Sequence, residues 1–234
     1  MIDAKSRLPE PETAAKPTLL IETATLLSLT IAVLSLFLFG WIAESVSHER
    51  TKTFDLAVRA RIHEFASPEM TRGMIAISYL GGDGLIIGVF ISLAVFLSVR
   101  WRRAALWLVI SILGALVLDL SLKYAFHRAR PTPFFGPLPH TYSFPSGHAL
   151  FSFCFYGVLA GLLADRVRSF KLRILVWTLA ALLVAAIGVS RIYLGVHYPS
   201  DVIAGYLAAT LWVSTMIAVD RVKKQRKRSI AFSE

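Results

Sequence analysis

Six continuous apolar runs, each long enough to cross a hydrocarbon layer about 30 Å thick, constrain this chain more than any other feature. They occupy residues 23–43, 74–99, 104–126, 148–164, 172–192 and 201–219. Backbone groups in lipid must find their hydrogen bonds within their own segment. Runs this continuous therefore predict helices, whereas a membrane barrel would show short alternating strands. The expected fold is all-α: a polytopic bundle of six transmembrane helices. No linker, low-complexity stretch or internal repeat divides it, so residues 23–219 form one unit, preceded by a cytoplasmic segment 1–22 and followed by a basic cytoplasmic tail 220–234. Hydrophobic residues make up 56% of the 234, too many for an ordinary water-soluble core.

The net charge of +10 follows the spans. Lys5, Arg7 and Lys16 precede the first run. Arg100, Arg102 and Arg103 fill the second loop, Arg166, Arg168, Lys171 and Arg173 the fourth, and Arg221, Lys223, Lys224, Arg226, Lys227 and Arg228 the tail. With six spans these regions share one side, which the positive-inside rule makes cytoplasmic. Loops one, three and five then face outward. This distribution reads as membrane flanks and excludes a nucleic-acid partner. The first run follows an acid- and Pro-containing segment with no small-residue cleavage site behind it, and is expected to be a retained span.

Cys154 is the single cysteine, so the chain supports neither an internal disulfide nor a thiolate metal cluster; its apolar setting suggests a packing role. In the first outward loop, Phe54, Val58, Ile62 and Phe65 recur at helical spacing. They predict an amphipathic helix, either interfacial or packed on the mouth of the bundle.

Three polar segments fall on outward ends of spans: Lys123 to Pro131, Pro145-Ser146-Gly147-His148, and Ser190 to Asp201. Each residue has an ordinary explanation alone, such as snorkelling or helix-dipole complementation. Their convergence at one membrane face suits a phosphate. Lys123, Arg130 and Arg191 neutralise its oxygens, while Ser146 and Gly147 open a helix whose free N–H groups point at the anion. His197 precedes Asp201 by four residues, so the carboxylate can accept from one ring nitrogen and leave the other free to attack. His148, on a separate segment, is the natural general acid. The cations already meet the phosphate charge, and no carboxylate or His set has metal-cage spacing. No metal and no cofactor are expected.

In this order, the three strings closely resemble the type 2 phosphatidic acid phosphatase superfamily: Lys, then Arg-Pro seven residues on; Pro-Ser-Gly-His; and Ser-Arg with a His six residues after the Arg and an Asp four beyond. Every position of that pattern is matched. The resemblance implies phosphate binding by Lys123, Arg130, Ser146, Gly147 and Arg191, acid/base action by His148, and a phosphohistidine at His197 paired with Asp201. It covers segments 123–148 and 190–201, and the six-span layout resembles the membrane branch of the family. The expected function is metal-independent hydrolysis of a membrane lipid phosphate: undecaprenyl diphosphate, phosphatidylglycerol phosphate, phosphatidic acid or similar. The compact loops suggest a bacterial inner membrane, with the site facing the periplasm. A lipid phosphotransferase would share the first half-reaction, and a phospholipid transporter would explain the cations but not the histidines.

Some residues are left with open roles. Gly81-Gly82-Asp83-Gly84 reads as a helix break or a substrate contact. Asp119 can hold Lys123 or bond between helices. His127 and Arg128 flank the pocket segment as candidates for head-group contact, and His140 is unassigned.

Overall fold

The computed structural model describes residues 15–231, with side chains from 23 to 226. Lys5 and Arg7, and the side chains of Lys16, Lys227 and Arg228, lie outside the described residues. Six helical spans cross the bundle: Thr23–Ser47, Pro68–Ser98, Arg102–Phe126, Gly147–Ala164, Phe170–Tyr193 and Pro199–Arg226. The last helix continues to Ala231, so the tail extends the sixth span.

The second span starts at Pro68, earlier than its apolar run, because Ser67 accepts a hydrogen bond from Met70 N and caps a helix with proline at its first position. It is two helices, Pro68–Tyr79 and Asp83–Ser98, interrupted at Gly81-Gly82. The fourth span carries a π-helical turn at Phe153–Gly157, where the Cys154 carbonyl accepts from Ser111 Oγ at 3.1 Å.

Between the spans, small residues let backbones approach. The first and sixth spans lie along each other. Around them Phe39, Ala43, Ala115, Phe144, Leu150, Cys154, Ala204 and Ala208 form the main core, and a second cluster joins Leu85, Phe96, Ala104, Leu108 and Phe155. Much of the outer surface is apolar, with Phe37, Phe90 and Val117 each more than 60% exposed, as a lipid-facing surface requires.

The basic loops do gather at one end. Arg103 of the second loop makes two hydrogen bonds to Asp220, at 2.8 and 2.7 Å, and Arg166 of the fourth loop lies over the Trp101 ring at 4.2 Å. The three polar segments meet at the opposite end. There the first loop forms a helix, Lys52–His63, packed against the fifth and sixth spans. Its buried residues are Asp55 and Arg59, while Phe54 and Phe65 are exposed. Asp55 and Arg59 thus face the protein, together with half-buried Ile62, which packs on the clusters of Ile192, Val202 and Tyr193.

Candidate active site

Loop 127–146 and turn 194–198 are bound to each other by main-chain contacts. Leu194 O accepts from Phe134 N and Phe135 N at 3.0 and 3.2 Å, and Asp201 O accepts from Ser146 N at 2.9 Å. Gly195 makes this approach possible. Its φ is +78°, and a Cβ there would stand 2.5 Å from Phe134 N.

His197 is held in that turn, 2% exposed, above the fully buried Asp201. Its Nδ1 lies 3.4 Å from Asp201 Oδ2 and 3.5 Å from Ser143 Oγ. Asp201 Oδ2 also accepts from Ser143 Oγ at 2.5 Å and Tyr198 N at 2.8 Å. On the other side of the ring, Nε2 faces Arg130 Nη1 at 3.0 Å. A guanidinium only donates, so Nε2 must be the acceptor and Nδ1 carries the proton toward Asp201. The second nitrogen, expected to be free, is therefore engaged by the very group that would hold a phosphate. Burial pushes the imidazole down to about 4, against the upward pull of Asp201. The ring is neutral at physiological pH.

Arg130 is fixed by Thr141 O at 2.6 Å, Thr141 Oγ1 at 2.8 Å and Val196 O at 2.8 Å; burial lowers its pKa. Lys123, in the last turn of the third span, pairs with Asp119 at 2.8 Å. Asp119 thus takes the first of its two anticipated roles. Gly147 begins the fourth span against this pair, and a Cβ there would come within 2.8 Å of Asp119 Oδ1 and 3.2 Å of Lys123 Nζ. Arg191 donates from Nη1 to Ser78 Oγ, while its buried Nε and the buried Ser146 Oγ have no hydrogen-bond partner among the described residues. Both are polar groups suited to an oxyanion.

One cavity of about 570 Å³ lies among these residues. Lys123, Arg130, Gly147, His148, Arg191 and His197 line its polar end. Leu85, Val89, Phe90, Ile112 and Leu116 line an apolar flank between the second and third spans. Asp201 and Ser146 stand behind this lining. The break in the second span interrupts the helix and also borders the cavity: Gly81, Gly82 and Asp83 are part of its lining, and a Cβ on Gly82 would lie 3.1 Å from His148 Nε2.

Neither Arg128 nor His127 lines the cavity: Arg128 turns to Asp55 and Asp201 because two buried carboxylates outweigh solvent for its guanidinium, and His127 packs on Tyr142 with ring centroids 4.6 Å apart. His140 is exposed and also outside the lining. Sequence reasoning missed Ser143, Thr141 and Ser78. A lone hydroxyl carries no spacing signal, and these three become visible only through the partners they meet. It also missed Asp55, which the i, i+4 pair Asp55/Arg59 inside an otherwise amphipathic stretch could have signalled. Among the described residues, no three His, Cys, Asp or Glu side chains gather as a metal site.

A membrane-embedded helical bundle with a cationic, two-histidine cavity at one end of its spans belongs to the class of integral membrane phosphatases, enzymes that hydrolyse phosphoric esters. The chain is a member of the PAP2 superfamily, whose family model matches residues 104–224. Phosphatidylglycerophosphatase B of Bacillus subtilis is 28% identical over 202 residues, covering 83% of this chain and 98% of that protein. The undecaprenyl-diphosphatase of Sulfolobus acidocaldarius is 35% identical over 60% of this chain and 66% of its own. The lipid A 1-phosphatase of Rhizobium etli is 36% identical over 53% of this chain and 52% of its own. Among solved structures, the transmembrane PAP2-type phosphatidylglycerolphosphate phosphatase from Bacillus subtilis superposes with a TM-score of 0.71 at 26% identity, over 82% of this chain and 96% of that one. Aquifex aeolicus LpxE gives 0.53 at 25% identity, over 71% and 95%.

Proposed function

We propose that this protein is a metal-independent lipid phosphate phosphatase that hydrolyses a phosphomonoester or diphosphate of a membrane lipid through a phosphohistidine at His197. The observation that carries this reading is the form of the cavity, whose cationic, two-histidine end runs directly into an apolar flank at the lipid-facing side of the second and third spans. A phosphate fits the first part and an acyl or prenyl chain the second. Relatives named for phosphatidylglycerophosphate, undecaprenyl diphosphate and lipid A support a lipid substrate.

The proposed reaction has two displacements. Nε2 of His197 attacks phosphorus as the bond to the lipid oxygen breaks, and His148 gives that oxygen a proton. Nδ1–H keeps donating to the Asp201 carboxylate, which balances the positive charge growing on the ring. Lys123, Arg130, Arg191 and the N–H groups opening the fourth span hold the three equatorial oxygens. His148, now neutral, takes a proton from water, which attacks phosphorus, breaks the P–N bond and releases phosphate. Charge neutralisation comes from three side-chain cations, so no step needs a metal.

The basic loops gathered at one end of the bundle support a cytoplasmic placement for both termini and an outward-facing site in a bacterial inner membrane. Exposed Phe54 and Phe65 support an interfacial position for the first-loop helix. The test of function is phosphate release from a panel of phosphatidylglycerol phosphate, undecaprenyl diphosphate, phosphatidic acid and lipid A in detergent, with excess chelator. Release from at least one of them in chelator is expected. Activity restored only by magnesium or zinc contradicts the mechanism, and a phosphorylated acceptor in place of free phosphate identifies a phosphotransferase.

A further inference from the structure

Behind His197 and away from the cavity, three charged groups, Asp201, Arg128 and Asp55, form one chain. Arg128 spans two carboxylates: Nη1 reaches Asp201 Oδ1 at 2.5 Å, and Nη2 reaches Asp55 Oδ2 at 2.8 Å. Asp55 belongs to the first-loop helix and is fully buried, as is Asp201. Its carboxylate also accepts from Ser200 N at 2.9 Å and Ser200 Oγ at 2.7 Å, while Ser200 Oγ accepts from Arg128 Nη1 at 2.8 Å. Burial would lower the Arg128 pKa, yet the two carboxylates raise it. One turn further along the same helix, Arg59 donates to Thr132 O at 2.8 Å and Gly195 O at 3.2 Å, and so ties loop 127–146 to turn 194–198.

The charge count of this chain gives it a consequence for turnover. Asp201 with Arg128 alone is a neutral pair, and a neutral pair offers little to an imidazole that becomes positive as it attacks phosphorus. Asp55 supplies the second negative charge. With it the group Asp55–Arg128–Asp201 carries a net charge of about −1, which the developing imidazolium balances; Arg59 is held by two backbone carbonyls and makes no ion pair with these carboxylates.

We propose that Asp55 and Arg128 are positioning residues of the phosphatase: Arg128 fixes the carboxylate that orients His197, and Asp55 offsets the charge of Arg128 so that Asp201 keeps its hold on the imidazolium. The first-loop helix is on this view part of the catalytic apparatus, delivering a charge from outside the three polar segments. The inference rests on His197 being the nucleophile.

Neither Asp55 nor Arg128 borders the cavity, so the two act on the step and not on substrate capture. Asp55→Asn keeps the shape and removes the charge. In detergent, with a lipid phosphate released by the wild type, kcat should fall on the order of 10- to 100-fold while KM stays within about twofold. Asp55→Glu, which restores the charge, should recover part of kcat. Arg128→Gln should impair kcat, and Asp55→Asn added to it should cost little more, because the second group acts through the first. A wild-type kcat in Asp55→Asn, equal loss in the Asn and Glu variants, or fully multiplicative losses in the double variant would each overturn the proposal. If Asp55→Asn does not accumulate, Ser200→Ala is read in the same way: a several-fold fall in kcat at constant KM supports the proposal, and an unchanged kcat overturns it. His197→Ala, run in parallel, separates the two readings. Turnover in that variant means the nucleophile assignment has failed; an inactive His197→Ala beside a normal Asp55→Asn means that the positioning role alone has failed.

Discussion

Arg130 Nη1 stands 3.0 Å from Nε2 of His197, so the cation assigned to the phosphate touches the atom assigned to attack it. Binding and attack are thereby coupled. A phosphate oxygen that replaces this contact on the guanidinium brings phosphorus within reach of the Nε2 lone pair, which the proton on Nδ1 leaves available. The arrangement requires a neutral imidazole, and burial provides it.

The first prediction concerns that neutrality. In the unfolded chain His197 takes up a proton below about pH 6.5, whereas in the native protein it does so only near 4. Native stability should therefore fall with falling pH across that window, because the unfolded state binds the extra proton there. Nitrogen-15 NMR of histidine-labelled protein in micelles, with the His197 signals assigned by their loss in His197→Ala, should show a titration close to 4. A midpoint at 6.5 or above would refute the buried neutral state.

Gly147→Ala should severely impair turnover. The added methyl would stand 2.8 Å from Asp119 Oδ1 and 3.2 Å from Lys123 Nζ, displacing the pair that borders the phosphate end. A loss of 10²-fold or more in kcat/KM is expected, together with weaker vanadate inhibition, since the five-coordinate anion uses the same oxygen-binding groups. Wild-type vanadate affinity in this variant would remove Gly147 from the site.

His148→Ala should be sensitive to the leaving group. A general acid contributes about 10²–10⁴-fold when a basic lipid alkoxide departs. It contributes less with p-nitrophenyl phosphate or a diphosphate lipid, whose leaving groups are stable anions. Steady-state rates across such a series give the slope directly, and equal losses throughout would show that His148 is not the acid.

Orientation can be read by labelling. In a Cys154→Ala background, cysteine at Leu138, 54% exposed beside the active-site end, should react with an impermeant thiol reagent in intact cells. Cysteine at Ser169, in the fourth loop at the opposite end, should not. The reverse pattern would place the site on the cytoplasmic side.

Much of this organisation was legible in the sequence, for physical reasons. Continuous apolar length specifies a lipid-spanning helix almost regardless of neighbours, which is why all six spans were found. Lys123, Arg130, His148, Arg191 and His197 were legible because ionisable groups at the ends of such helices are costly without a purpose. The first-loop helix shows the limit of that reasoning. Its apolar stripe through Phe54, Val58, Ile62 and Phe65 is real, but periodicity does not say which face meets protein. Here Asp55 and Arg59 turn inward because buried partners await them: Ser200 and Arg128 for one, two carbonyls for the other. The early start of the second span was hidden for a related reason. Pro68–Thr71 is too polar to extend a hydropathy run, and it becomes helical through the Ser67 cap.

The central claim is that phosphate passes through His197, and rapid quench with a diphosphate lipid ³²P-labelled at its terminal phosphate, whose leaving group needs little help from His148, tests it most directly. Wild-type protein, and more strongly His148→Ala, should carry acid-labile, base-stable label that maps to the peptide containing His197. His197→Ala should carry none and lose at least about 10³-fold in turnover. Label on His148, or turnover without any labelled enzyme at the shortest quench times and an active His197→Ala, would contradict the account.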